Sequence, residues 1–243
     1  MAPTSPQPPV LAGEGLVKRY GRTRALDGAD LAVAAGEAVA VMGPSGSGKT
    51  SLLHCLAGIV RPDAGQVLLD GVPVQGWSET RRSELRRTRY GFVFQSGQLL
   101  GELPAEENVA LPLLLAGVER REAVARARAW LEPLGLRGLG GRRPGELSGG
   151  QAQRVAIARA LVSGASVVFA DEPTGALDSA TGAEVMDVLR GATRRAGASL
   201  VLVTHDPAVA AWCDRTVRVL DGRVEDAAPA AVAPAAAVSG VFR

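Results

Sequence analysis

The sequence predicts an α/β fold in which buried strands alternate with helices. Three observations support this prediction. A valine-rich run at 38–42 is followed by a glycine-rich turn and a helical pattern. Two later apolar runs, at 166–170 and 200–203, each end in a short polar turn. In between, residues 119–134 place apolar side chains at helical spacing, as in an amphipathic helix.

The composition of the 243 residues is that of an ordinary globular protein, with 47% hydrophobic and 21% charged residues. A formal net charge of +2 is too small to indicate a nucleic-acid partner by itself. The two cysteines have neither disulfide-framework nor metal-binding spacing. No apolar run approaches the roughly 18 residues of a membrane-spanning helix, and the N-terminus lacks the features of a secretory signal. We therefore expect a cytosolic protein.

Both ends of the chain differ in composition from its middle. Residues 1–13 include four prolines, and residues 226–243 are mostly Ala, Val and Pro. Such segments cannot bury enough apolar surface to fold alone. We expect a disordered tail over 1–13, a folded domain over 14–225 and a flexible Ala/Pro-rich tail over 226–243.

The first part of the domain, residues 15–41, has the pattern of short strands broken by glycines and charged turns. Tyr20 lies in this segment, and its ring could stack on a nucleobase. A single tyrosine more often packs into a core, so the sequence leaves both roles open.

The turn after the first apolar run matches the phosphate-binding pattern G-x-x-x-x-G-K-[ST]. Its residues are Gly43, Pro44, Ser45, Gly46, Ser47, Gly48, Lys49 and Thr50. Glycines let backbone N–H groups surround anionic oxygens, and the following helix directs its positive end at them. Lys49 would reach the β- and γ-phosphates, and Thr50 would ligate Mg²⁺. The alternative is a plain strand-to-helix turn.

Lysine usage supports the phosphate-binding interpretation. Of the 27 basic residues, only Lys18 and Lys49 are lysine. One of the two therefore stands where the motif requires a compact ammonium group.

Further along, the run at 66–70 predicts another strand, and the run at 90–95 predicts a strand that ends at Gln95. Residues 81–89 contain five arginines. A solvated helix face is the commoner role of such a run, and a nucleic-acid patch is the alternative. Residues 137–145 are predicted to form a loop.

Ser148 and Gln151 have the spacing of a capping box at the start of a helix. In structural terms this is an N-cap that contains glycines. In functional terms it is a second helix N-terminus, which offers a hydroxyl and free amides to an anion. The local pattern does not decide between the two.

Polar residues follow the last two apolar runs. Asp171 ends the first of them, where Mg²⁺ would take a protein ligand, and Glu172 could orient and deprotonate a water. His205 follows the second run and could contact a γ-phosphate at the same edge of the sheet. We expect His54, the other histidine, to have a packing role.

Residues 147–151, LSGGQ, followed by RVAIARAL at 154–161, resemble the signature of ATP-binding cassette (ABC) ATPases. The family's other motifs occur in order, and they are Tyr20, the phosphate loop, Gln95, Asp171-Glu172, Ala176-Leu177-Asp178 and His205. The resemblance covers residues 15–224. It implies a phosphate-loop NTPase (RecA-like) core sheet with an antiparallel β subdomain and an inserted helical subdomain at about 96–165.

The resemblance also implies the cofactors ATP and Mg²⁺ and a head-to-tail homodimer that holds two ATP molecules between its protomers. Ser148 is separated from Lys49 by the whole helical segment, so one protomer need not bring both to its own ATP. The implied catalytic residues are Glu172 as general base, His205 as γ-phosphate sensor, Lys49 and Gln95. The implied metal ligands are Thr50, Gln95 and Asp171. The implied nucleotide-binding residues are Tyr20, which stacks on adenine, then Gly43, Pro44, Ser45, Gly46, Ser47, Gly48, Lys49, Thr50 and Ser51, and, across the interface, Ser148, Gly149, Gly150 and Gln151.

Within the family, the stretches 89–95, 107–115 and 171–175 are similar to the lipoprotein-release and macrolide-export branch. Gln98, Gly101 and Pro104 depart from that branch. The resemblance implies a membrane-spanning permease as partner, reached through the segment after Gln95, a cytoplasmic position on the inner face of the cell membrane, and no nucleic acid. The alternatives are a soluble ABC ATPase of DNA repair or translation and a phosphate-loop kinase.

Overall fold

Two β-sheets organise the chain in a computed structural model, which describes residues 9–226. The smaller sheet is antiparallel. In spatial order its strands are β2 (Thr23–Val33), β1 (Leu11–Tyr20), β4 (Ala64–Leu69) and β5 (Val72–Pro73). The strands of the larger sheet are, in spatial order, β10 (Arg223–Asp226), β9 (Arg215–Leu220), β3 (Ala38–Met42), β8 (Ser199–Val203), β7 (Val167–Asp171) and β6 (Tyr90–Phe94). In this sheet β10 is antiparallel to β9, and the other strands run parallel.

Helices cover the larger sheet. In the described residues they are α1 (Lys49–Leu56), α2 (Glu79–Thr88), α3 (Ala105–Leu115), α4 (Arg120–Leu131), α5 (Gly149–Leu161), α6 (Ser179–Ala196) and the short α7 (Pro207–Ala210). Pro133 lies in a 3₁₀ turn at Glu132–Leu134, directly after α4, because proline cannot continue the helical hydrogen bonds. No helix within residues 9–226 has the length and apolar character needed to cross a membrane.

The core strands are buried on both faces. In β3, Ala38 and Ala40 join a cluster with side chains of α3 to α6. Val39 and Val41 join a second cluster with α1 and the smaller sheet. This two-sided burial explains why the apolar runs of the core strands show no polar alternation.

The predicted fold class is confirmed, since an antiparallel sheet and a largely parallel core sheet are both present and α3 to α5 lie between β6 and β7. The predicted domain boundaries need correction. β1 begins at Leu11, inside the tail predicted for 1–13, because Leu11 is fully buried and pairs with both Val33 and Leu69. Likewise, β10 extends to Asp226. The remainder of the two predicted tails, 1–8 and 227–243, lies outside the described residues.

Candidate active site

Parallel strand order brings the predicted site residues to one edge of the larger sheet. The phosphate loop follows β3, Gln95 follows β6, and Glu172 follows β7, whose last residue is Asp171. His205 comes two residues after the end of β8. Because these strands are parallel neighbours in the order β3-β8-β7-β6, all four ends meet at the same edge.

The phosphate loop requires glycine at defined positions. Gly46 and Gly48 have positive φ angles of 79° and 108°, which L side chains rarely adopt. A Cβ on Gly48 would also lie 2.2 Å from the carbonyl oxygen of Ala25 in β2. The backbone of β2 therefore packs directly against the phosphate loop, and a side chain at Gly48 would displace either the loop or β2.

The loop leaves polar groups available to an anion. Gly48 caps α1 without any side-chain hydrogen bond to the helix N–H groups. The Ser47 hydroxyl is buried and has no hydrogen-bond partner in the described part of the chain. The Lys49 ammonium donates to the carbonyl oxygens of Gly43 and Pro44, both at 2.8 Å. Unpaired donors and a cation at a helix N-terminus fit the phosphate groups of a nucleotide.

Asp171 and Thr50 form the second part of the site. The Thr50 hydroxyl lies close to the Asp171 carboxylate and favours its charged form. Burial and the negative charge of Glu172 raise the pKa of Asp171, although His54, Thr50 and Lys49 partly oppose this. A carboxylate and a hydroxyl in contact are hard oxygen donors, and they fit a divalent cation such as Mg²⁺. His54 thus lowers the pKa of Asp171 through its charge. The sequence predicted only a packing role for this histidine.

Gln95 lies beside the turn that follows β7. A Cβ on Gly175 would come within 2.9 Å of Gln95 Nε2, so the amide lies directly over this glycine. Since Gly175 N donates to the carbonyl oxygen of Glu172, the Gln95 amide lies against the turn that Glu172 begins.

Glu172 is held in a strained conformation with a paired carboxylate. Its φ of 47° is in the left-handed region, and its N–H donates to the Val203 carbonyl at 2.9 Å. The Thr204 hydroxyl donates to Oε2 at 3.3 Å. His205 Nδ1 lies 2.7 Å from Oε1, and because a carboxylate only accepts, Nδ1 carries the proton. The hydrogen bond and charge of Glu172 raise the pKa of the exposed His205.

The Glu172→Gln substitution should lower the pKa of His205 toward its ordinary value of about 6.5, because a neutral amide does not favour the imidazolium. A raised folded-state pKa means that the pair stabilises the folded chain below the unfolded-state pKa, and this contribution is lost as pH rises through the folded-state pKa. Titration of the imidazole signals by NMR measures the shift. The His54→Asn variant assigns the two sets of signals to their histidines. An unchanged pKa of His205 in Glu172→Gln would contradict the pairing of His205 with Glu172.

The predicted capping box at the start of α5 is present. Gln151 N donates to the Ser148 hydroxyl at 3.2 Å, and Ser148 N donates to Gln151 Oε1 at 3.0 Å. A Cβ on Gly150 would lie 2.6 Å from Thr181 Cγ2 in α6. A Cβ on Gly149 would lie 2.9 Å from Leu177 Cδ2. These hydrogen bonds stay within α5, and its first turn packs on α6 rather than on the phosphate loop.

Tyr20 does not pack into the core. It ends β1 with 47% of its surface exposed, and the Lys18 ammonium lies 5.6 Å from its ring centroid. Of the two roles that the sequence left open, burial in the core is therefore wrong.

Comparison with known proteins agrees with this geometry. The family model described as "ABC transporter" matches residues 26–175. The chain is 45% identical over 221 residues to the lipoprotein-releasing system ATP-binding protein LolD of Chromohalobacter salexigens, covering 89% of this chain and 93% of that protein. It is 46% identical to the macrolide export ATP-binding/permease protein MacB 1 of Aeromonas hydrophila subsp. hydrophila, covering 89% of this chain and 34% of that longer protein.

A solved structure has the same fold. The dimeric, post-hydrolysis structure of the ATP-binding cassette MJ0796 with ADP and Pi is 36% identical, with a TM-score of 0.79, and the match covers 89% of this chain and 98% of that one. The two relatives belong to a lipoprotein-releasing system and to macrolide export, so they favour transport over DNA repair or a small-molecule kinase. The chain belongs to the ABC transporter family, as one of its ATP-binding and ATP-hydrolysing components.

Proposed function

We propose that two copies of this chain bind two ATP molecules head to tail, each between the phosphate loop of one protomer and Ser148 of the other. One observation carries the proposal. The loop, Asp171, Glu172 and His205 share one sheet edge, whereas the hydrogen bonds of Ser148 stay within its own helix. A second chain would supply Ser148 and the α5 amides as the missing anion-binding groups. The dimeric state of MJ0796 supports this arrangement.

Lys49 and the loop N–H groups hold the phosphates in this arrangement, and Tyr20 stacks on the adenine. Thr50, Gln95 and Asp171 would hold Mg²⁺. When bound, the ion would neutralise charge that develops on the phosphate oxygens. The influence of the Thr50 hydroxyl on the pKa of Asp171 supports the assignment, because it indicates that two of the ligands are neighbours.

Glu172 acts as the general base. Its carboxylate accepts a proton from the water that attacks the γ-phosphate, and the products are ADP and inorganic phosphate. Thr204 and His205 orient the carboxylate through both of its oxygens. His205, whose raised pKa favours the charged form, can also contact the γ-phosphate at this edge.

A membrane-spanning permease docks in a groove of about 590 Å³ beside β6. ATP hydrolysis changes the conformation of the permease through this contact. The lining of the groove includes the exposed apolar side chains of Ile59 and Leu115, together with Phe94 and Gln98, which flank Gln95. Arg159 of α5 donates to the Gln98 carbonyl at 2.8 Å, so the groove is connected to both the Gln95 segment and the helix that Ser148 begins. The permease would hold the chain in the cytoplasm, on the inner face of the cell membrane.

The ion pairs of the arginine run at 81–89 argue against a nucleic-acid surface at this run. Arg82 and Arg86 both pair with Glu79, and Arg89 pairs with Asp70 at 2.6 Å. These guanidinium groups already have carboxylate partners on the chain, which leaves less positive charge for a phosphate backbone.

The Leu115→Glu substitution tests the docking groove. It adds a charge to an apolar lining residue, so the chain should move from the membrane fraction of its own cells to the soluble fraction, because an unpaired buried carboxylate opposes docking. Val72→Glu is the matched control, since Val72 is also an exposed apolar residue but lies in the smaller sheet. Equal membrane association of the wild type and both variants would contradict docking at this groove.

A further inference from the structure

Lys18, one of the chain's two lysines, lies beside Tyr20, the proposed base-stacking residue. Its ammonium group donates to the Arg61 carbonyl at 2.9 Å and to Asp63 Oδ1 at 3.0 Å. It also lies 5.6 Å from the ring centroid of Tyr20, two residues along β1. The ammonium and the ring are therefore neighbours, although the pairing of β1 with β2 shifts register between Lys18 and Arg19.

Asp63 ties the end of β1 to the turn after α1. Asp63 N donates to the Val17 carbonyl at 2.7 Å, and Arg19 N donates to Asp63 Oδ2 at 2.6 Å. The hydrogen bonds from Lys18 and Arg19 hold the pKa of Asp63 below its usual range, which keeps this carboxylate charged. The pairing of β1 with β4 ends at Val17. Beyond that point, the Asp63 carboxylate holds Lys18 and Arg19, the two residues that lead to Tyr20.

The position suits lysine and not arginine. Lys18 contacts a carbonyl, a carboxylate and an aromatic ring, and 15% of its side chain is exposed. A compact ammonium has three donors on one atom, whereas a planar guanidinium spreads its donors over a rigid fork. Since the rest of the chain uses arginine almost throughout, lysine at this position has the same physical rationale as lysine in the phosphate loop.

We infer that Lys18 is a positioning residue for the nucleobase: its ammonium fixes the Tyr20 ring in the orientation that stacks on adenine. The inference rests on the proposed role of Tyr20. A cation held over one region of the ring by Asp63 restricts the ring before the base arrives, and a pre-organised platform binds more tightly. Without the ammonium, the Tyr20 ring adopts the stacking orientation in a smaller fraction of molecules. The apparent affinity for ATP falls in proportion to that fraction.

The test compares ATP with inorganic tripolyphosphate, both with Mg²⁺, because tripolyphosphate offers anionic oxygens without a base. Lys18→Met keeps the unbranched stem and should raise the Kd for ATP about two- to fivefold, with the Kd for tripolyphosphate unchanged. Tyr20→Ala should raise the Kd for ATP about fivefold or more. Lys18→Met should add nothing further in the Tyr20→Ala background, because the two residues act as a unit.

The outcomes separate the inference from the function on which it rests. Suppose that Tyr20→Ala weakens the binding of ATP but not that of tripolyphosphate. The role of Lys18 is then overturned if Lys18→Met leaves the Kd for ATP unchanged, or raises the Kd for ATP and for tripolyphosphate equally. Unchanged ATP binding by Tyr20→Ala overturns the base platform itself, and the inference with it. Should Lys18→Met fail to fold, Asp63→Asn removes the charge that holds the ammonium, and the same comparison then decides.

Discussion

Glutamine in place of Glu172 should lower kcat for ATP hydrolysis about 10²- to 10⁴-fold and leave ATP affinity unchanged. An amide has nearly the shape of the carboxylate and can still accept a hydrogen bond, but it cannot take a proton from water. Binding without turnover should leave a dimer held together by ATP. Steady-state phosphate release gives kcat, and light scattering with and without ATP gives the oligomeric state.

Glu84→Gln provides the matched control for this experiment. It makes the same chemical change at an exposed position on α2, and it should leave both measurements at wild-type values. Undiminished hydrolysis by Glu172→Gln would remove Glu172 from the role of general base.

Alanine in place of Lys49 should raise the Kd for ATP about 10- to 100-fold, which is the expected cost of losing charge-assisted hydrogen bonds to phosphate. The Lys49 ammonium already lies within the loop, bonded to Gly43 and Pro44 carbonyls. Calorimetric titration with ATP measures the loss.

Arg121→Ala removes a cation from the exposed face of α4 and should bind ATP as the wild type does. Equal affinity of Lys49→Ala and wild type would overturn the assignment of the phosphate loop.

Mixing Lys49→Ala with Ser148→Arg tests the head-to-tail dimer. A head-to-tail dimer of the two chains keeps one intact site, so the mixture should hydrolyse ATP faster than either variant alone.

The sequence predicted the core strands because each is a short apolar run between turn signals. It missed β9, in which two arginines and a threonine interrupt the apolar residues. The identity of β9 as a core strand depends on its pairing with β3. The sequence also missed α3, which contains Pro112 and has no side-chain cap. Fully buried Asn108 stabilises the start of this helix by bonding to Leu100 and Leu103, and those contacts come from tertiary structure.

The motif spacing predicted a set of candidate site residues, but not how they contact one another. The hydrogen bond between Glu172 and His205 joins the ends of β7 and β8, and the proximity of Thr50 to Asp171 brings α1 to the end of β7. Both depend on the strand order in the sheet, which differs from the order in the chain. The sequence did not predict the contact between Lys18 and Asp63 for a similar reason, since Asp63 follows α1 and reaches β1 only in the folded chain.

Two copies of the chain should close on ATP through the N-terminus of α1 in one protomer and the N-terminus of α5 in the other. A structure of the Glu172→Gln variant with ATP and Mg²⁺ gives the sharpest test of this arrangement. In that structure, the Ser148 hydroxyl of each protomer should lie within about 3 Å of the γ-phosphate held by Lys49 of the other. A nucleotide-bound complex in which Ser148 is remote from every terminal phosphate would contradict it.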